Sequence, residues 1–434
     1  MKLVEYTCAL IVAMVASRFI VGTPHALVIA LRKGFSMMNE KVNVCPLCFA
    51  EAVRVSMSLP AEVIIHDTTL REGDQTPGVV FNFKNKLQIA HKLDEVGIQQ
   101  IEAGFPAASQ GEKEAVKALV KEGLNARIFG FARAVRGDID AVIDCDAYGL
   151  VLSFPPSDIH LKYKLKMSKG QYLNTAIEIV EYAKAHGLYI TYSAEDSTRT
   201  DLDFLKVVFK EVVKAGVSRA RIVDTLGSII PTAMRFLVSE VKKAVGVPIE
   251  VHCHNDHGLA VANSLAAVES GASVLSTSVN GIGERAGLAA TEEVIIALQN
   301  LYKIGNFKTE KLSELCKLVE DLSNVRLQPN KCVVGANIFA HASGIHQHGV
   351  IENPITYEPY PPEMVGQKRR LILGKLSGSH AVKLKLDEYN LKASDNELKL
   401  ILTKIKEKSE ERRSALSDDE FLRIAKEVLG KQQR

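Results

Sequence analysis

From Glu62 onward the chain keeps one rhythm. A short run of β-branched and apolar residues is followed by a polar turn, then by a longer run with apolar positions at helical spacing. The strand-like runs are Val63–His66, Gln100–Ala103, Arg127–Phe131, Gly149–Ser153, Tyr189–Ser193, Arg221–Val223, Ile249–His252 and Val274–Val279. Between them, Lys84–Val96, Gln171–His186 and Pro231–Val245 read as helices, the last with proline in its first turn. Eight β/α units over roughly 240 residues predict a TIM (β/α)8 barrel. A doubly wound sheet is the rival, but it seldom needs eight evenly spaced units. After Leu301 the rhythm stops. Lys311–Ser323 and three runs rich in Lys and Glu, Ser379–Tyr389, Asp395–Ser409 and Asp418–Leu429, read as helices. The chain thus divides into a head of doubtful status (1–60), a barrel (61–304) and a helical C-terminal subdomain (305–434).

In a barrel the chemistry belongs where strands end. Strand one ends in His66-Asp67-Thr68-Thr69-Leu70-Arg71-Glu72-Gly73-Asp74-Gln75, and strand two in Glu102-Ala103-Gly104. Strand three ends at Arg133, strand five in Ser193-Ala194-Glu195-Asp196 and strand six in Asp224-Thr225-Leu226-Gly227. Strand seven carries His252-Cys253-His254-Asn255-Asp256, and strand eight runs into Asn280-Gly-Ile-Gly-Glu-Arg-Ala-Gly287. Any one cluster could be a helix cap or a salt bridge; all of them at one face is harder to dismiss. Side chains alternate along a strand, so His252 and His254 share a face about 7 Å apart, a spacing that suits a shared divalent cation. A third ligand from the strand-one loop is Glu72 or Asp67, and two His with one carboxylate leave positions open for substrate. Arg71 beside the metal suits negative charge developing on an enolate or a 2-oxo acid carbonyl. The glycine-rich turn after strand eight is a weak nucleotide signal: it lacks the Lys-Ser/Thr of a phosphate loop and opens no Rossmann unit. His341, His346 and His348 fall within eight residues. They could be a second metal site, a solvated loop or a catalytic patch.

Composition narrows the class. Across 434 residues, 47% are apolar and the net charge is +3, as in a globular protein with no call for a nucleic-acid partner. Seven cysteines without a framework suggest a reducing, cytoplasmic setting. Cys45 and Cys48 form one C-x-x-C with no second pair. In the head, the apolar run from Cys8 to Ala16 and the patch from Ala26 to Leu31 could be a leader, or a wrongly assigned start, since Met37, Met38 and Met57 could each begin a shorter chain. The run is short for a membrane span.

These residues resemble those of a known family. Asp67-Thr-Thr-Leu-Arg-Glu-Gly-Asp-Gln, His252-Cys-His-Asn-Asp and Asn280-Gly-Ile-Gly-Glu-Arg-Ala-Gly together are similar to the acyl-CoA-dependent 2-oxo acid condensing enzymes, the isopropylmalate, homocitrate and citramalate synthases. Supporting stretches are Ile101-Glu-Ala-Gly-Phe-Pro, His160-Leu-Lys-Tyr-Lys, Ser193-Ala-Glu-Asp-Ser-Thr-Arg-Thr, Val350-Ile-Glu-Asn-Pro-Ile-Thr-Tyr-Glu-Pro and Leu373-Gly-Lys-Leu-Ser-Gly. The resemblance covers about Glu62 to Leu429 and is closest to the archaeal homocitrate synthases.

It implies a barrel followed by a helical subdomain, in a homodimer whose subdomain reaches the partner's site. It implies Glu72, His252 and His254 as ligands of a divalent metal (zinc, manganese or magnesium), with Asp67 falling back to a supporting role. Arg71 would stabilise the enolate and alkoxide, Glu195 with the His346–Tyr357 pair would do acid/base work on acetyl-CoA, and Ser193 and Thr225 would line the 2-oxo acid. The implied reaction condenses acetyl-CoA with a 2-oxo acid and hydrolyses the thioester. Glu72, where many relatives have Asp, and the apolar Leu288, where many have Asn, match the homocitrate synthases of lysine synthesis. Thr191 does not: those enzymes carry Arg there for the distal carboxylate of 2-oxoglutarate. A large C-terminal regulatory domain of the isopropylmalate synthase kind is not expected, because only about 60 residues follow Lys375. A lyase of reversed bond chemistry and a non-catalytic barrel are the other readings, and metal content separates the last.

Overall fold

The computed structural model describes residues 42–430. The apolar stretches of the head, Cys8–Ala16 and Ala26–Leu31, lie outside the described residues. The chain divides into two units after Met57. In the first, the described residues hold a 3-10 turn at Pro46–Phe49 and one helical turn at Glu51–Arg54. Cys45 and Cys48 are free thiols there.

The second unit contains a closed barrel of eight parallel strands. They are β1 (Ile64–Asp67), β2 (Gln100–Gly104), β3 (Arg127–Arg133), β4 (Gly149–Ser153), β5 (Tyr189–Ala194), β6 (Arg219–Asp224), β7 (Ile249–Cys253) and β8 (Val274–Thr277). Closure is made by β8 pairing with β1, from Ile64↔Val274 to Asp67↔Thr277. The expected barrel is therefore present, with one instructive difference. Strand six begins two residues earlier than predicted, because Arg219 belongs to it and, like Arg221, is fully buried. Arg219 reads as a break in the pattern unless its partners inside the barrel are known.

Alternation along the strands separates two environments. Ile65, Ile101, Leu150, Ile190, Ile222, Val251 and Leu275 face outward into the apolar layer beneath the helices. Their inward neighbours are mostly polar. His66, Gln100, Glu102, Thr191, Arg219, Arg221 and Glu250 are all buried in the barrel interior. Around the strands, α1 (Phe83–Val96) buries Ile89, Ala90, Leu93 and Val96, and starts at a reciprocal Asn82–Asn85 cap. The helix α2 (Lys169–Ala185) begins two residues before its apolar pattern predicts, because Ser168 and Gln171 form a capping box.

Beyond the barrel, the helix Leu312–Ser323 leads into a two-stranded pairing of Ala340–His341 with Arg370–Leu371. The three tail helices appear at Ser379–Glu388, Asp395–Arg412 and Asp418–Gly430, close to their predicted places. They share a small core of their own built on Leu386, Ile401, Ile405 and Phe421. Among the described residues no helix is long and apolar enough to cross a membrane.

Lys86 anchors the first two loops at the mouth of the barrel. Its side chain is fully buried in α1. Its Nζ donates to the Leu70 carbonyl at 2.9 Å and to Glu112 Oε1 at 2.5 Å, with Asp74 Oδ2 at 3.4 Å. Removing one partner of such a pair leaves an uncompensated charge, which costs about 3–5 kcal/mol. Lys86→Met should therefore lower the urea unfolding midpoint sharply, whereas Lys84→Met, on the exposed face of the same helix, should shift it little.

Candidate active site

The turn after β1 is wound tightly by one acceptor. The Thr68 carbonyl takes the backbone N–H groups of Arg71 (3.0 Å), Glu72 (2.8 Å) and Gly73 (3.3 Å). This turns Arg71 and Glu72 back over the barrel mouth, where both are buried. Asp67 goes elsewhere. Its carboxylate accepts from the Thr69 N–H at 2.9 Å and the Thr291 hydroxyl at 2.7 Å, and burial pushes its pKa up to about 6. Of the two acidic candidates for a ligand, the structure presents Glu72.

Glu72, His252 and His254 converge, with one ligand atom of each within 4.8 Å of the others. The two Nε2 atoms lie 3.4 Å apart, and Glu72 Oε1 is 4.0 Å from that of His254. His252 sets its other nitrogen, Nδ1, against Ser276 Oγ at 2.9 Å. Burial, with His254 adding to it, holds His252 well below the usual imidazole range, and burial also lowers His254. Two neutral imidazoles therefore face each other across a gap beside a carboxylate, and His254 Nδ1 is buried without a partner. Neutral nitrogens with a carboxylate are a donor set that fits a divalent cation. Among the described residues this is the group that could hold one.

Arg71 stands next to these ligands. Its guanidinium pairs with Glu72, donates from Nε to Glu102 Oε1 at 2.5 Å, and lies over the Phe131 ring at 4.7 Å. Glu102 is in turn held by Arg221 (3.2 Å) and His66 (3.4 Å). Burial alone would raise its pKa, but Arg71 and then Arg221 hold it well below the usual carboxylate range.

A second acidic group faces the mouth from β5. Ser193 is buried at the end of that strand, and Glu195 follows it, about a quarter exposed. Lys164 Nζ reaches both Glu195 oxygens at 2.7 and 2.9 Å, and His160 Nε2 lies 3.4 Å from one of them. His160 Nδ1 sits against Asp196 Oδ2 at 3.1 Å and Ser157 Oγ at 2.9 Å. Lys164 is delivered by a π-helical turn, Leu161–Leu165, a form of helix frequent at functional sites. Thr225 Oγ1 accepts the Asp196 N–H at 2.7 Å, so the ends of β5 and β6 are tied together.

Comparison with known proteins decides what this constellation belongs to. The HMGL-like family model matches residues 62–319, and a second model, "Homocitrate synthase post-HMGL domain-like", matches residues 333–413. The chain belongs to the HMGL-like family. It is 50% identical over 380 residues to "Homocitrate synthase AksA" of Methanopyrus kandleri, covering 87% of this chain and 95% of that protein. It is 46% identical to "Probable 2-isopropylmalate synthase" of Ignicoccus hospitalis (89% and 98% covered), and 48% identical to "(R)-citramalate synthase CimA" of Methanocaldococcus jannaschii (85% and 75%). Among solved structures, the HMG-CoA lyase of Bacillus subtilis superimposes with a TM-score of 0.57 at 20% identity, covering 62% of this chain and 97% of that one, a likeness of fold alone.

In this HMGL-like barrel the glycine-rich run after β8 closes the ligand group. Leu288 bridges His254, and the Glu284 N–H lies 3.4 Å from Glu72 Oε1. At Gly287 (φ 75°) a Cβ would stand 1.8 Å from the Gly281 carbonyl oxygen, so only glycine allows that fold. Arg285 clamps the neighbouring loops by bonding Asp256 at 2.9 Å and the Thr225 carbonyl at 2.5 Å.

The three histidines of the C-terminal part separate. His341 is buried against Glu358 (3.1 Å), His348 packs tilted against His380 with centroids 4.4 Å apart, and His346 packs tilted against Tyr357 at 4.1 Å. The His346–Tyr357 pair is exposed, and among the described residues neither ring hydrogen-bonds to Glu195 or to the ligand group. Of the groups around the mouth, Glu102 and Lys164 were missed as site residues. Glu102 was visible as an acid at a strand end, and Lys164 lay within the His-Leu-Lys-Tyr-Lys stretch after strand four.

If the ligand group holds a metal, His254→Ala should purify with most of that metal lost by elemental analysis. Chelation should lower the melting temperature of the wild type and leave that of the variant unchanged.

Proposed function

We propose that this chain condenses acetyl-CoA with a 2-oxo acid and hydrolyses the resulting thioester, with 2-oxoglutarate as the acid and homocitrate as the product. The observation that carries this reading is the juxtaposition of Glu72, His252 and His254 with an arginine fixed between two carboxylates. It is supported by relatives named as homocitrate, isopropylmalate and citramalate synthases. Glu72, His252 and His254 would hold the cation, zinc, manganese or magnesium, which when bound polarises the 2-oxo carbonyl.

The residues of the chain divide the remaining work. Ser193 and Thr225 line the 2-oxo acid. Glu195 accepts a proton from the acetyl methyl group, and the resulting enolate carbon attacks the carbonyl carbon. Lys164 and His160 hold Glu195 in place until then. Arg71 presents its guanidinium where oxygen becomes negative, and Glu102 keeps that guanidinium from turning away. Water then cleaves the thioester and releases CoA, which makes the condensation irreversible. The exposed His346–Tyr357 pair serves acid/base chemistry at the barrel mouth of a second copy, so the working form is a homodimer. A cytoplasmic setting agrees with the six free cysteines among the described residues.

A 2-isopropylmalate or citramalate synthase is the second reading, favoured by relatives of nearly equal identity. Chain extent does not separate them, since the Ignicoccus relative is covered over 98% of its length. The lyase reading is disfavoured by the match of residues 333–413 to the post-HMGL segment, which lies beyond the barrel.

Release of CoA thiol from acetyl-CoA, measured with 2-oxoglutarate, 2-oxoisovalerate, pyruvate and oxaloacetate in the presence of divalent metal, tests the proposal. Turnover should be fastest with 2-oxoglutarate; a preference for 2-oxoisovalerate or pyruvate sinks the substrate assignment, and no release with any acid sinks the reaction. Arg71→Gln should lower kcat by about 10²–10³ while retaining metal. Mixing Arg71→Gln with His346→Ala subunits should recover part of the activity that neither has alone.

A further inference from the structure

A second carboxylate on the substrate needs a cation, and Thr191 does not provide one. Its buried hydroxyl accepts from Arg219 Nε at 3.0 Å. Arg219 is itself committed at the barrel floor, to Gln100 Oε1 at 2.7 Å, His66 Nδ1 at 3.1 Å and Glu250 at 2.8 Å.

One layer nearer the mouth the situation differs. Arg221 stands beside Ser193 in the register of β5 and β6. Its terminal nitrogens lie 3.2 Å from Glu102 Oε2, and one of them is 2.6 Å from Glu250 Oε1. Its Nε–H, in contrast, is buried with no hydrogen-bond partner. A buried donor left unmade is costly, and native structures rarely tolerate one without use. Ser193 is 5% exposed, and its hydroxyl has no partner among the described residues. Two donors on adjacent strands are thus unspent, one layer below His252, which pairs with Val223.

Charge balance points the same way. Arg71, Arg219 and Arg221 face Glu72, Glu102 and Glu250, while His66 is held neutral by its burial. These six groups therefore balance before a divalent cation enters, and a dianion restores the balance afterwards. A monocarboxylate would leave one buried charge unmatched, which a low-dielectric interior penalises.

We propose that Arg221 Nε and Ser193 Oγ form the subsite for the second carboxylate of a 2-oxo dicarboxylate, making Arg221 the residue that selects this substrate class. The inference rests on the condensation reading above for its choice of 2-oxo acids.

The test is isothermal titration of the metal-loaded full chain, without acetyl-CoA, with 2-oxoglutarate and with 2-oxoisovalerate. The wild type should bind 2-oxoglutarate at least about tenfold tighter, as expected of a hydrogen bond to a charged group. Arg221→Gln should erase that preference while leaving 2-oxoisovalerate binding within a few-fold of wild type. A folded Arg221→Gln that keeps the preference, or a wild type that has none, overturns the proposal. Because Arg221→Gln takes a partner from Glu102 and Glu250, the gentler Ser193→Ala provides a second arm. It should weaken 2-oxoglutarate selectively, and equal weakening of both acids, or of neither, overturns the subsite. If the binding preference holds while no acid supports thiol release, the subsite stands and the condensation reading falls. If thiol release occurs and Arg221→Gln leaves selectivity intact, the reverse is true.

Discussion

The Glu102 carboxylate is the point on which the barrel interior depends. It sits fully buried between Arg71, Arg221 and His66. A carboxylate in that position would be costly if unpaired, and its pairing adds little net stability over a well-packed apolar core. What it achieves is orientation. Arg71 has one end on Glu102 and the other on Glu72, and its face on Phe131, so its guanidinium cannot rotate. From Glu250 through Arg221, Glu102 and Arg71 to Glu72, alternating charges run up the barrel axis to the group that could hold a cation. The floor and the mouth of the barrel are thus one electrostatic object.

The outer layer carries the stability that this interior cannot. Outward-facing Ile, Leu and Val on every strand pack beneath the helices, and several loops at the mouth are fastened to their neighbours. Lys86 ties the first loop to the second, Asp196 and Thr225 tie the fifth to the sixth, and Arg285 ties the sixth and seventh to the eighth. At Gly227, backbone from the His254–Asp256 loop comes so close that a Cβ would lie 2.6 Å from the His254 carbonyl oxygen. Rigidity at the mouth comes from these crossings rather than from any single loop.

Much of this was legible in the chain, for identifiable reasons. Eight β/α units could be counted because their outward faces are conventionally apolar, and the His-x-His pair could be read because strand alternation places both rings together. Strand six was shortened because Arg219 looks like a turn residue until Glu250 and Thr191 are placed around it. The choice between Asp67 and Glu72 needed the backbone turn on Thr68, which no spacing rule contains. Lys164 reaches Glu195 from a π-turn thirty-one residues away, a contact set by tertiary geometry alone. The glycine-rich run looked like a weak phosphate loop, whereas its glycines serve close backbone packing against the ligand group. The histidine-rich stretch misled in another way, since three rings close in sequence take three separate partners.

The shared carboxylates of the interior also constrain how such a protein can change. Glu102 and Glu250 each answer to more than one cation, so replacing any single member strands a charge away from water. Variants of this barrel that take a differently charged substrate can therefore be reached only by exchanges on two neighbouring strands at once, or by passing through a less stable intermediate. A single substitution inside the barrel that alters the substrate preference therefore carries a cost in stability, and drift should accumulate first on the loops, where charges meet solvent.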